Sequence, residues 1–419
     1  MHRVAARRVR LLGLCSLLVL LLVTLSGCWD VVEIDHRAFV TSLGVDMTDD
    51  GKIEIIAHSP IPRGIAGGGT MGGGGGGGPA FALYSAKGST VAQAIGALGE
   101  TTDKNVDLGH LREIVLGEGL ARRGVGQVLD DMFRTSLADV TAIILVSKGK
   151  ARDLMGVNPP LEIFPVVYVE RYLYKDGLDL TTSARVELWD AYSMAWNPSR
   201  ELFLPRIIGV KGKPPKGGQG GGGGQGGGDW GSKGPQSPES QDRFIISGFG
   251  IFRNDKLVGW LERSDATAFI WTMGLGKGGY IVVDISDEIP GKKATIMMTY
   301  VKVAKKVWKE GGNYRIRLTF KVVGNLQGTE GIHLVVNGRR GYEIHELIKE
   351  RTEKKIKLMV ESMIHKLQRE LKSDAVSFGE LVRRTYPREW SPRTWDEIFP
   401  GVEVDVRVSA QVTELNVLH

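Results

Sequence analysis

Hydrophobic and polar positions follow a period of two in some stretches of this chain and a helical period in others. Ala38 to Met47 and Lys52 to His58 are β-rich and flank Asp49-Asp50-Gly51, which predicts a hairpin. Ser89 or Thr90 can cap a helix whose apolar residues Val91, Ile95 and Leu98 share one face. A short strand, Glu113 to Leu116, leads into a helix carrying Leu120, Val128, Leu129, Met132 and Phe133. Thr141 to Ser147 is a nearly continuous apolar run, the pattern of a buried strand. The order strand, strand, helix, strand, helix, strand mixes sheet with helices.

The second half opens with strands, at Phe244 to Phe252 and Tyr280 to Ile285. Tyr314, Ile316, Leu318, Phe320 and Val322 alternate with Arg315, Arg317, Thr319 and Lys321, a half-buried strand pattern. A long helix is predicted over 342–371, with Ile344, Ile348, Ile356, Met359, Met363, Leu367 and Leu371 as its core stripe and Glu and Lys on its solvated face. Val402, Val404, Val406 and Val408 alternate with Glu403, Asp405 and Arg407, a closing strand. These patterns predict an α+β fold of two or three mixed sheet-and-helix domains. The chain has 419 residues, 42% of them hydrophobic, which is enough apolar material for that many cores and excludes wholesale disorder.

Two tracts carry no period. Gly67 to Gly78 and Gly217 to Gly228 each hold ten glycines in twelve positions. Ordering such tracts costs too much backbone entropy for them to fold. The first predicts a Gly-rich loop over 64–79 inside an N-terminal α+β region, 28–210. The second, extended by Pro214-Pro215 and by Ser232 to Ser240, predicts a linker over 211–243. A C-terminal α+β domain then covers 244–419.

The amino terminus adds a compartment. Residues 1 to 27 read as a signal peptide: a basic start, an apolar run from Leu11 to Leu25, and small residues before Cys28. That run has 15 residues, short of the roughly 20 that a spanning helix needs. Leu25-Ser26-Gly27-Cys28 resembles the lipobox of bacterial lipoproteins. The resemblance implies cleavage between Gly27 and Cys28 and a diacylglyceryl group on the Cys28 thiol. The other cysteine, Cys15, lies in the removed segment, so the mature chain is expected to have no disulfide, Cys-ligated zinc or thiol nucleophile.

Charge and motifs narrow the function classes. The formal charge is +6, but four arginines precede residue 28, which leaves 50 basic against 48 acidic residues. Such a body lacks the basic footprint of a nucleic-acid partner. Gly274, Gly276 and Gly279 fit G-x-G-x-x-G, but the strand Tyr280 to Ile285 follows where a dinucleotide site needs a helix, so they read as a turn between strands. Ser147 to Lys150 has S-x-x-K spacing, but its internal Gly149 argues against the helical turn that this motif needs. Asp46, Asp49, Asp50 and Gly51 lack calcium-loop spacing and read as a hairpin turn. His110 reads as a hydrogen-bonded structural residue, and the scattered histidines form no metal set. Ser247 lacks the glycine of a nucleophile elbow. The expectation is a protein without catalytic, cofactor-binding or metal residues.

Longer strings go further. Cys28-Trp-Asp-Val-Val-Glu-Ile34 follows the lipobox, and Phe39-Val-Thr-Ser-Leu-Gly-Val-Asp46 comes next. Leu108-Gly-His-Leu-Arg-Glu-Ile-Val-Leu-Gly-Glu118 and Ile251-Phe-Arg-Asn-Asp-Lys-Leu-Val-Gly-Trp-Leu261 follow, then Tyr386-Pro-Arg-Glu-Trp390 and Trp395-Asp-Glu-Ile-Phe-Pro400. In composition and order this set resembles the C subunits of spore-germination nutrient receptors, the Ger(x)C lipoproteins. The resemblance implies a non-catalytic subunit anchored by Cys28 on the extracytoplasmic face of the spore inner membrane. It also implies two partners, a transporter-like polytopic subunit and a membrane-spanning subunit, and a fold of mixed sheet-and-helix domains. The glycine tracts depart from the family pattern, as does the ending Leu415-Asn-Val-Leu-His419, where the family often has a Gly. A lipobox and α and β domains also suit a solute-binding lipoprotein of a transporter, which would need a ligand cleft between domains.

Overall fold

The computed structural model describes residues 13–17, 33–61, 80–134, 138–157, 164–174, 181–212, 242–276, 278–288, 290–328 and 339–414, together with Pro159 and Glu162. Gly27, Cys28 and the loop 64–79 lie outside the described residues, as does nearly all of 211–243. Residues 13–17, within the apolar run, are helical and exposed. No helix among the described residues is long and apolar enough to cross a membrane.

The first half supplies β1 (Arg37–Phe39), β2 (Ser42–Met47), β3 (Ile53–Pro60), β4 (Phe81–Gly88), β5 (Asn105–Asp107), β6 (Glu113–Leu116), β7 (Ile143–Ser147) and β8 (Phe203–Val210). After the glycine-rich segment come β9 (Arg243–Arg253) and β10 (Lys256–Leu261). Apart from the small parallel pair β1 and β5, these strands form one sheet in the order β10-β9-β8-β7-β6-β2-β3-β4. Its centre, β2, β6, β7 and β8, is parallel. Antiparallel strands extend it on both sides.

Helices cover both faces of this sheet, which explains the apolar run of β7, all five of whose residues are buried. Ile144 and Val146 enter the larger core with residues of α1 (Val91–Gly99), α2 (Glu118–Arg123) and α3 (Gly126–Arg134). Ile143 and Leu145 point the other way, toward Leu154 of α4 (Ala151–Met155) and Val169 and Leu173 of α5 (Pro165–Leu173). Thr90 caps α1 as expected, its hydroxyl accepting from the Gln93 N–H at 3.1 Å. The single helix expected after β6 is two, α2 and α3, because Gly124 breaks the chain at φ 139°. Helix α6 (Leu188–Ala195) then leads to β8.

After β10 come α7 (Arg263–Met273), β11 (Tyr280–Asp284), β12 (Lys293–Glu310) and β13 (Asn313–Gly328). The predicted long helix is α8 (Arg339–His365), extended by a π-helical turn, Lys366–Leu371, and stopped at left-handed Lys372. Helices α9 (Phe378–Thr385) and α10 (Pro392–Ile398) precede the last strand, β14 (Glu403–Glu414). The second sheet runs β11-β12-β13-β14, and β14 lies parallel to β13 because α8 carries the chain back between them. Ile348, Ile356, Val360, Met363 and Leu367 of this helical segment are buried.

The glycine-rich segment does not separate the sheets. β8 and β9, on its two sides, are antiparallel neighbours with Val210 opposite Arg243. The expected boundary at 211–243 thus meets a sheet that continues across it, and β9 and β10 complete the N-terminal sheet. One contiguous buried core joins both sheets.

Candidate functional site

The described body begins at Glu33, five residues after Cys28, with an exposed turn, Ile34–His36, that leads into β1. A cavity of about 790 Å³ opens beside this entry, lined by Ile34, Phe39, Pro60, Ile61, Tyr84 and Lys104 among others. Arg37 forms an ion pair with Asp107 at 2.7 Å and holds that carboxyl below its usual range. Among the described residues, Glu33, Asp35 and His36 bring metal-type ligand atoms within 4.8 Å of one another. All three are exposed, so they offer no enclosed coordination site. His110 is exposed too, and among the described residues its ring sits edge-on to Phe39 at 5.1 Å in place of the hydrogen bond expected of it.

The string Phe39 to Asp46 works through one face of β2. Ser42 sits opposite His58 of β3 and Glu113 of β6, so three buried polar side chains form a row. Ser42 Oγ donates to Glu113 Oε2 at 2.7 Å. Burial pushes the Glu113 carboxyl up to about 7, and its Oε1 meets no donor among the described residues. His58 Nε2 lies 2.8 Å from the Met155 carbonyl oxygen, so it must carry the proton. Burial pushes this imidazole down to about 4. A serine, a histidine and a carboxylate are therefore adjacent, but the serine proton goes to the carboxylate and the histidine to a backbone oxygen. That arrangement lacks the nucleophile–base contact of a hydrolytic triad.

Two residues on, Gly44 lets α4 approach: a Cβ there would stand 2.9 Å from Met155 Cγ. Asp46, also buried, accepts from the N–H groups of Ala151 and Arg152 at 2.9 and 2.8 Å and so caps α4. Burial raises its carboxyl all the same. This corrects the reading of Asp46 as a turn residue, whereas Gly51, at φ 82°, does form the turn. Gly117, from the string Leu108 to Glu118, leaves room for the Asp46 carboxylate, which a Cβ would overlap. Ser147 to Lys150 forms the turn from β7 to α4, and Ser247 Oγ lies 3.0 Å from Thr182 Oγ1. Gly274 ends α7 at φ 71°, so the glycine motif closes a helix rather than joining two strands.

The remaining strings meet where the two sheets join. Asn254, at the hairpin between β9 and β10, is left-handed at φ 55° and donates its N–H to Glu201 at 2.6 Å. Burial pushes Glu201 up to about 8. Asp255 receives the Gly126 N–H at 3.3 Å and the Val125 N–H on its carbonyl at 2.8 Å, which fixes the start of α3. Gly259 admits Leu371, whose Cδ2 would stand 2.5 Å from a Cβ there. Ser373 Oγ donates to the Phe252 carbonyl at 2.5 Å. Asp374 accepts from the N–H groups of Phe378 and Gly379 and from Trp395 Nε1 at 2.9, 2.5 and 2.9 Å. Burial pushes Asp374 up to about 7 and the nearby Lys305 down to about 8. Glu380 binds Arg383, Arg384 and Ser199, and Arg383 above all holds its carboxyl down at about 2. Trp395 and Phe399 are buried, with ring centroids 5.9 Å apart, and Trp390 is half-buried.

These groups cap helices, fix hairpins and lock sheet to sheet. The class they define is an α+β body of mixed sheets and helices in which these sequence strings form internal seams. The comparisons give it a family. A model of the spore germination protein N-terminal domain matches residues 30–208, and a model described as spore germination B3/GerAC like, C-terminal, matches residues 247–415. The chain belongs to this GerAC family of spore germination proteins. Among its relatives, putative spore germination protein YfkR of Bacillus subtilis (strain 168) is 26% identical, with 97% of each chain covered. Spore germination protein B3 of the same organism is 25% identical over 95% of this chain and 96% of that one. Spore germination protein GerQC of Bacillus cereus is 20% identical over 96% of this chain and 98% of that one. The crystal structure of the GerBC protein shares the fold at a TM-score of 0.53 and 19% identity, covering 91% of this chain and 99% of that one.

Proposed function

We propose that this chain is the membrane-anchored, non-catalytic C subunit of a spore nutrient germinant receptor. The observation that carries the reading is the pair of family matches over 30–208 and 247–415, which begins two residues after the lipobox cysteine. In this reading the signal peptide is cleaved between Gly27 and Cys28, and Cys28 becomes the acylated first residue. Each buried methylene of the acyl chains contributes about 0.8 kcal/mol, so two chains hold the body on the bilayer. The protein stands on the extracytoplasmic face of the spore inner membrane and works there with a transporter-like polytopic subunit and a membrane-spanning subunit. Its buried seams give a rigid body to be held in that assembly. A solute-binding lipoprotein would need two domains that close on a ligand, and a sheet and core that continue across 211–243 do not favour it.

The test is Cys28→Ala in the sporulating cell. The expected result is loss of the protein from the spore membrane fraction together with impaired nutrient-triggered germination. A soluble Cys28→Ala protein that supports normal germination would overturn the proposal.

A further inference from the structure

The parallel strands β2, β6 and β7 start at the same end of the eight-stranded sheet, and β1 runs into β2 there. Helix α6 is fastened to that end. The N–H groups of Leu188 and Trp189 donate to the carbonyls of Ala142 and Val140, just before β7, at 2.9 and 3.0 Å. Past its C-terminus the chain turns into the start of the parallel strand β8, so both ends of α6 lie at this end of the sheet.

Its outer face carries Trp189 and Tyr192, and Trp196, the residue that ends the helix, lies beside Tyr192 with ring centroids 6.2 Å apart. Trp189 and Trp196 are 54% and 57% exposed, and neighbouring Val140 is 40% exposed. Tyr192 stacks on Phe133 of α3 with ring centroids 4.0 Å apart, and the Trp189 ring lies 5.6 Å from that of Phe133. The result is a preformed aromatic shelf. Around it, Arg134 pairs with Asp130 at 2.8 Å and Arg185 pairs with Glu187, while Asp190 of α6 accepts the Glu187 N–H at 3.3 Å. Exposed Trp suits the headgroup zone of a bilayer, where an amphipathic ring meets both phases.

The second observation is where the chain enters the body. Cys28 is five residues before Glu33, and those five steps span at most roughly 18 Å. From Glu33 the exposed turn and β1 lead straight to the start of β2, the end of the sheet that carries α6. A lipid on Cys28 would therefore hold this end close to the membrane. We propose that the end of the sheet bearing α6 faces the bilayer, with Trp189 and Trp196 seated among the phospholipid headgroups as a second, non-covalent contact. The orientation rests on the acylation of Cys28 proposed above.

The test replaces the lipid so that the two ideas fail separately. The chain from residue 28 onward, with Trp29→Phe and an N-terminal hexahistidine tag, is tethered to vesicles of phosphatidylglycerol, phosphatidylethanolamine and a nickel-chelating lipid. Tryptophan fluorescence is then read with and without brominated phospholipids. The expected result is quenching of the tethered protein and loss of most of that quenching in the surface double variant W189S/W196S. A tethered protein that is not quenched, or quenching undiminished in the double variant, would overturn the proposal. So would protection of these tryptophans from acrylamide only when detergent-extracted spore membrane proteins are added, since a protein partner would then cover the shelf. Acylation is read independently, from the mass of the N-terminal peptide.

Discussion

Three carboxyls, Glu113, Asp374 and Glu201, are pushed up by burial to about 7, 7 and 8. Each binds its proton more tightly in the folded than in the unfolded chain. The stability these three groups contribute is therefore full below the ordinary carboxyl range and is lost as pH rises through these folded values. For Glu113, fully enclosed, the change from 4.5 to about 7 corresponds to a loss on the order of 3 kcal/mol. Glu113→Gln keeps an acceptor for Ser42 without the charge, so urea denaturation of the variant should show a shallower fall across that range than wild type. An identical pH dependence would contradict this account. Gly117→Ala should destabilise by several kcal/mol in the same assay, because its Cβ would overlap the buried Asp46 carboxylate. Neither role is legible in sequence. The partner of Glu113 stands 71 residues away, and Asp46 caps a helix more than 100 residues further on.

The elements best predicted were those whose own residues set their environment. The alternation through β13, the apolar run of β7 and the stripe of α8 all appear where the periods place them. β12 is not legible along its length because Lys302, Lys305, Lys306 and Lys309 fill its second half, where Val307 alone is buried. Helix α4 was missed because it has only five residues and draws its cap from β2. The hairpin at Asn254 and Asp255 tests this scale. Asn254→Ala should cost about 1–2 kcal/mol, since Ala lacks the short polar side chain that makes the left-handed conformation tolerable. Asn254→Gly should retain wild-type stability, and an Ala variant as stable as the Gly variant would show that the turn carries no strain.

At the scale of the molecule, composition does not show where the sheets divide. The glycine-rich segment joins β8 to β9, so residues matched by the C-terminal family model complete the N-terminal sheet. Fragments 28–212 and 242–419 made separately should therefore lack cooperative thermal unfolding, and co-expression should restore it. Two independently folding fragments would contradict the shared core. The family strings, by contrast, are legible because each is a contiguous run, and the membrane contact proposed for this family member rests on the acylation proposed for Cys28. The most direct test is affinity purification of the tagged protein from detergent-solubilised inner membranes of dormant spores, with mass spectrometry of the N-terminal peptide and of the proteins that co-purify. The account predicts a diacylated Cys28 together with two polytopic proteins, one of them transporter-like. An unmodified amino terminus, or a diacylated protein recovered alone or with transporter ATPase components, would contradict it.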